Sequence, residues 1–75
     1  MPSPYRAPKL HALGIKVAQI RHEKGWSIDR LAEESGVGRR TIINLEGATK
    51  TPRIDTLYAV AVALDVPLSE LVDVL

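Results

Sequence analysis

The stretch Ser27-Ile28-Asp29-Arg30-Leu31-Ala32-Glu33-Glu34-Ser35-Gly36-Val37-Gly38-Arg39-Arg40-Thr41-Ile42-Ile43-Asn44-Leu45 decides the fold. The hydroxyl of Ser27 is placed to cap a helix whose first turn holds Asp29, where a negative charge suits the helix dipole. That helix ends at Ser35-Gly36, and Gly36 permits the left-handed backbone of a tight turn. Val37 is a single apolar residue in the turn. A second helix, Arg39 to Leu45, buries Ile42 and Leu45 and turns Arg39, Arg40, Ile43 and Asn44 outward. Ala32 is small where the two helices cross, and Val37 and Ile42 fill the space between them. The stretch therefore reads as two short helices joined by a tight turn.

On the N-terminal side, Leu13, Val17 and Ile20 follow a helical period from Leu10 onward, and Lys24-Gly25 stops that helix. On the C-terminal side, Gly47 to Pro52 is a polar loop. A helix from about Ile54 to Leu64 is expected to turn Ile54, Leu57, Val60, Ala61 and Leu64 inward. Asp65-Val66-Pro67 is a turn, with Pro67 beside the start of a last helix, Leu68 to about Val74, that turns in Leu71. No segment alternates in the manner of a strand. The expected fold class is all-α, a five-helix bundle.

A chain of 75 residues has room for one small domain. Three prolines in the first eight residues disfavour a helix there. Residues 1–9 are read as a flexible basic arm and residues 10–75 as the domain. With no cysteine there is neither a disulfide framework nor a thiolate metal site. The N-terminus lacks an apolar run of signal-peptide length. The longest apolar run, Leu57 to Leu64, is far short of the ~20 residues that cross a bilayer. A cytoplasmic location and no membrane partner are expected.

The net charge of +1 hides an asymmetry. Residues 1–53 hold all ten Lys and Arg against five acids, a balance of +5; residues 54–75 hold four acids and no base, −4. Such asymmetry suggests a face turned toward a polyanion. An uneven surface without function is the alternative.

Beyond the two-helix pattern, Leu13-Gly14, Ile20-Arg21, Gly25-Trp26-Ser27, Leu31-Ala32, Gly36-Val37, Thr41-Ile42, Leu45-Glu46, Pro52, Thr56-Leu57, Ala61, Leu64, Val66 and Leu71 stand in register with a known pattern. On these residues the sequence resembles the lambda-repressor-like helix-turn-helix family, the Xre/Cro class, over roughly residues 12–73. The resemblance implies a five-helix domain that binds operator DNA, usually as a dimer, in the manner of a repressor or controller protein. It makes residues 39–45 the recognition helix and places base contacts on Arg39, Arg40 and Asn44, with Ile43 on the same face. The chemistry of the side chains agrees. Arginine donates twice to guanine O6 and N7, and asparagine pairs with adenine N6 and N7. Taken apart from the motif, the same residues describe a solvated basic helix face.

Candidate phosphate contacts are Thr49, Lys50 and Thr51 in the following loop and the backbone amide of Ile28 at a helix N-terminus, with Lys16 and Arg53 weaker. Each taken singly fits a solvated group equally well. Arg6 and Lys9 either reach the duplex from the arm or belong to a tail without a role. The resemblance also implies a structural ion pair between Arg21 and Glu46. Three positions depart from the family: Ile28 where Gln is frequent, Ala48 where Gly is usual with Gly47 one place earlier, and Gly38 at the cap where Ser or Thr is common.

Trp26 reads as a half-buried core aromatic. His11 and His22 lack partners at ligand spacing, so no metal is expected. Nor does any serine stand in a nucleophile–base arrangement. The reading is a non-enzyme without cofactor. Tyr58 and Val62, one turn apart, with Leu68, Val72, Val74 and Leu75 form an apolar surface, and residues 58–75 are expected to make a two-fold dimer contact. A half-covered terminal helix is the alternative. Two functions stay open: a dimeric transcriptional regulator, and an interaction module that keeps the fold but binds a protein.

Overall fold

The computed structural model describes residues 6–75. The arm expected over residues 1–9 falls partly outside them; Arg6, Ala7, Pro8 and Lys9 are exposed and non-helical. Five helices follow: α1 Leu10–Glu23, α2 Ile28–Ser35, α3 Arg39–Gly47, α4 Ile54–Leu64 and α5 Leu68–Val72. No strand occurs among the described residues, and none of the helices is long and apolar enough to cross a membrane.

Each helix boundary has a local cause. The Ser27 hydroxyl accepts from the Arg30 N–H at 3.0 Å and opens α2. Gly36 closes it at φ 73°, in the left-handed region. The turn is braced by Ser35, whose Oγ donates to the Ala32 carbonyl and accepts from the Val37 N–H. The helix α3 runs to Gly47 and not to Leu45 as expected. Its left-handed C-cap falls on Ala48, φ 56°, where glycine fits without strain. The last helix stops at Val72, two residues earlier than expected.

The core gathers one stripe from every helix: Leu13, Val17 and Ile20 of α1, Leu31 of α2, Ile42 and Leu45 of α3, Leu57, Val60, Ala61 and Leu64 of α4, and Leu71 of α5. Ile54 is a correction. It was expected inward but is 66% exposed. It opens α4, and its four-residue spacing continues through Tyr58 and Val62 on the outer face, while the buried stripe begins at Leu57.

Helix α3 buries only Ile42 and Leu45, so its position depends on other contacts. Helix α1 supplies them at the C-terminal end. Gly14 lies against the α3 backbone so closely that a β-carbon there would overlap the Glu46 carbonyl and stand 2.7 Å from the Leu45 carbonyl oxygen. About two turns on, the Arg21 guanidinium reaches the end of α3. Its Nε donates to Glu46 Oε2 at 2.8 Å and its Nη2 to Oε1 at 2.9 Å, while Nη1 donates to the Trp26 carbonyl at 2.9 Å. The two side chains are only 8% and 11% exposed. Hydrogen bonding to Glu46 raises the Arg21 pKa above its ordinary value, against the opposing effect of burial. No buried side-chain polar atom among the described residues lacks a partner.

Two outcomes are expected. Gly14→Ala, which in an ordinary exposed helix adds about 1 kcal/mol, destabilises this protein by about 1–3 kcal/mol because the helices must part; urea denaturation reads the sign. Glu46→Ala strands a buried guanidinium and costs about 3 kcal/mol, the low end for a pair broken from one side, whereas Arg21→Met with Glu46→Leu recovers much of that loss. Equal stability of Glu46→Ala and the unmodified protein in thermal melts excludes the structural role of the pair.

Candidate nucleic-acid interface

The turn between α2 and α3 sets the N-terminus of α3 at the surface. Gly38 caps it in extended geometry without a side-chain bond, so the first-turn amides of α3 face outward. Arg39, Arg40 and Ile43 are exposed, and Asn44 is half-buried on the same side. These are the four outward residues expected of this helix.

Two of the four are held. Arg39 Nε donates to Asp29 Oδ1 at 2.6 Å, linking the first turn of α3 to the first turn of α2. With the side chains 62% and 69% exposed, this pair adds at most about 1 kcal/mol to stability. Its consequence is orientation: Nε is engaged, and no other hydrogen bond holds the guanidinium among the described residues. Asn44 Oδ1 accepts from the Thr49 hydroxyl at 2.8 Å, and the Thr49 backbone N–H donates to the Asn44 carbonyl at 3.1 Å. Both donors of Thr49 are thus engaged by Asn44. Thr49 was expected to face phosphate; in this geometry it braces Asn44 and has no donor left for an anion. The cause is the left-handed turn at Ala48, which folds the loop back on the helix.

Beside α3 an open groove of about 300 Å³ is lined by Arg40, Asn44, Lys50, Thr51, Pro52, Arg53 and Thr56. It brings the expected Lys50 and Thr51 next to Arg40. Lys50 forms no ion pair among the described residues, whereas Arg53 meets Asp55 at 3.2 Å. Ile28 is half-buried at the first position of α2, where its N–H has no intrahelical acceptor. Lys16 is half-buried on α1, away from that groove's lining. The Trp26 ring is half-buried against the core, with Lys24 Nζ 5.3 Å and the Arg30 guanidinium 5.1 Å from its centroid. These cation–π contacts fit the reading of Trp26 as a packing residue.

Of the expected apolar contact surface, Tyr58 and Val62 are about 60% exposed and Leu75 is exposed, whereas Leu68 and Val72 are half-buried against the core. Ile54 extends the exposed stripe one turn toward the start of α4. Sequence reasoning missed the Asp29 and Thr49 contacts. Asp29 and Arg39 sit on different helices, and only the turn geometry brings them together.

Known proteins share this fold. The Helix-turn-helix family (HTH_3) matches residues 17–71. The HTH-type transcriptional regulator SutR of Escherichia coli (strain K12) is 37% identical over 57 residues, 76% of this chain and 32% of SutR. The HTH-type transcriptional regulator SinR of Bacillus subtilis (strain 168) is 37% identical over 62 residues, 81% of this chain and 56% of SinR. The chain thus spans about a third of SutR and just over half of SinR. SinR solved in complex with DNA superposes with a TM-score of 0.75 at 35% identity, covering 79% of this chain and 95% of that one. The restriction-modification controller protein C.AhdI from Aeromonas hydrophila gives 0.80 at 29% identity, covering 83% and 94%. On the family match, the relatives and the shared five-helix fold, this chain belongs to the helix-turn-helix family.

Proposed function

We propose that this chain binds double-stranded operator DNA sequence-specifically and regulates transcription as a dimeric repressor or controller protein in the bacterial cytoplasm, on the nucleoid. The observation that carries the reading is the outer face of α3, with Arg39 and Arg40 at its exposed N-terminal end and Asn44 one turn further. Inserted into the major groove, this face offers arginine forks to guanine and an oriented amide to adenine. The solved SinR–DNA complex supports it by analogy.

The roles divide by geometry. Arg39, Arg40, Asn44 and Ile43 face the bases. Lys50 and Thr51, from the rim of the groove beside Arg40, meet the sugar-phosphate backbone on one side of α3, and the Ile28 N–H meets it at the start of α2. Lys16 is a more distant candidate. The exposed stripe Ile54, Tyr58 and Val62, with Leu75 and the rims of Leu68 and Val72, forms the two-fold contact, which sets two recognition helices about 34–36 Å apart. The C-terminal part supplies no Lys or Arg to that contact.

SinR has also been solved with a protein, SinI. A protein partner is therefore the second reading, favoured by the same apolar stripe.

Selection of bound sites from random duplex DNA identifies the operator. On that operator, Arg40→Ala is expected to cost about 1–3 kcal/mol and relax one base position, while Lys50→Ala weakens all duplexes alike and lowers the salt slope by about 1. No salt-dependent DNA affinity in the unmodified protein excludes the DNA-binding reading. For the dimer, sedimentation is expected to show Tyr58→Glu and Val62→Glu as monomers with weakened operator binding. A monomer for the unmodified protein, with and without operator, rules the dimer out.

A further inference from the structure

We propose that Asp29 is a specificity-determining positioning residue that aims Arg39 at a guanine; the inference rests on the DNA-binding reading above. Asp29 is an acid in the first turn of α2, on the side of the molecule where duplex phosphates would approach the free N–H groups of that helix. An unpaired carboxylate there repels DNA. It is not unpaired, because its Oδ1 takes the Nε–H of Arg39 at 2.6 Å.

An arginine has five N–H donors in a planar fork. With Nε tied to Asp29, the plane of the guanidinium is fixed by an anchor on a neighbouring helix. The Nη1 and Nη2 edge is left to present two parallel donors, the pattern that guanine O6 and N7 accept. Without the anchor, Arg39 stands at the first position of α3 on an extended glycine cap and swings among rotamers, meeting phosphates as readily as bases. The pair is too exposed to matter much for stability, so orientation is its main physical effect. Asp29 thereby lowers affinity for DNA in general and raises preference for one base.

The two effects have opposite signs, and a merely structural role moves neither. Affinities of the unmodified protein, Asp29→Ala, Asp29→Asn and Arg39→Ala are measured by fluorescence anisotropy. The duplexes are the selected operator, the operator altered at the base where Arg39→Ala loses discrimination, and an unrelated sequence, each at several salt concentrations. Asp29→Ala is expected to bind unrelated duplex several-fold tighter with a steeper salt slope, and to lose about tenfold of the discrimination at the Arg39 base. Asp29→Asn, which keeps an acceptor for Nε without the charge, restores part of that discrimination. Full discrimination in Asp29→Ala overturns the inference while leaving the DNA-binding reading intact. So does an Arg39→Ala protein that loses discrimination at no base. Absence of DNA binding by the unmodified protein overturns both.

Discussion

Everything on the outer face of this domain depends on the buried bond between Arg21 and Glu46. A helix that leaves one side open to solvent cannot be held by apolar burial around its circumference. Here α3 contributes two fully buried side chains, Ile42 and Leu45. Its last turn is held instead by a bidentate guanidinium–carboxylate pair shielded from water. Burying two charges is costly. The cost is offset because both carboxylate oxygens are bonded and the remaining arm of Arg21 takes the Trp26 carbonyl. The same guanidinium therefore fixes the end of α3 and the entry to α2, and so spans the whole two-helix unit.

Gly14 belongs to the same constraint. The short reach from α1 to the Glu46 carboxylate requires the two helices to pass nearly backbone to backbone, and any side chain at position 14 would hold them apart. Helix α1 then acts as a rigid strut behind α3, and α4 closes the other side through α2. The Gly14 and Arg21 contacts both fix the C-terminal turn of α3, and Ile42 anchors its middle, while its N-terminal turn exposes two arginines. Its weak glycine cap and its strained Ala48 terminus are tolerable for the same reason.

The helices were legible because their apolar residues recur at a single period and their ends carry capping chemistry at Ser27, Gly36 and Pro67. The misreadings share a cause: local spacing does not say which face a neighbour covers. Ile54 fits the inward series with Leu57 and Leu64 as well as the outward series with Tyr58 and Val62, and only the placement of α4 decides. The end of α3 was misplaced because a left-handed alanine is not a signal that a sequence advertises. Among the outward residues of α3, exposure followed from the period. The holding contacts did not, because Asp29 meets Arg39 across a turn and Thr49 meets Asn44 across a left-handed residue. The Arg21–Glu46 pair, 25 residues apart, was available only through the family resemblance.

The distribution of charge shows what kind of binder the geometry makes. Of the six arginines, Arg21, Arg30, Arg39 and Arg53 each meet a carboxylate. A domain relying on general attraction to phosphate would leave such cations free, since each neutralised phosphate adds affinity irrespective of sequence. Here Arg40 and Lys50, which flank one groove, have no acidic partner among the described residues. Three of these pairs lie within residues 1–53, whose +5 balance already counts their acids; the fourth, Arg53 with Asp55, lowers that balance by one more. On the proposed DNA-binding reading, arginines already answered by acids leave more of the affinity to directed base contacts and to their doubling by the proposed two-fold association. Both place a premium on side chains whose direction is fixed before the duplex arrives, and the bonds from Asp29 and Thr49 fix two of them in the free protein.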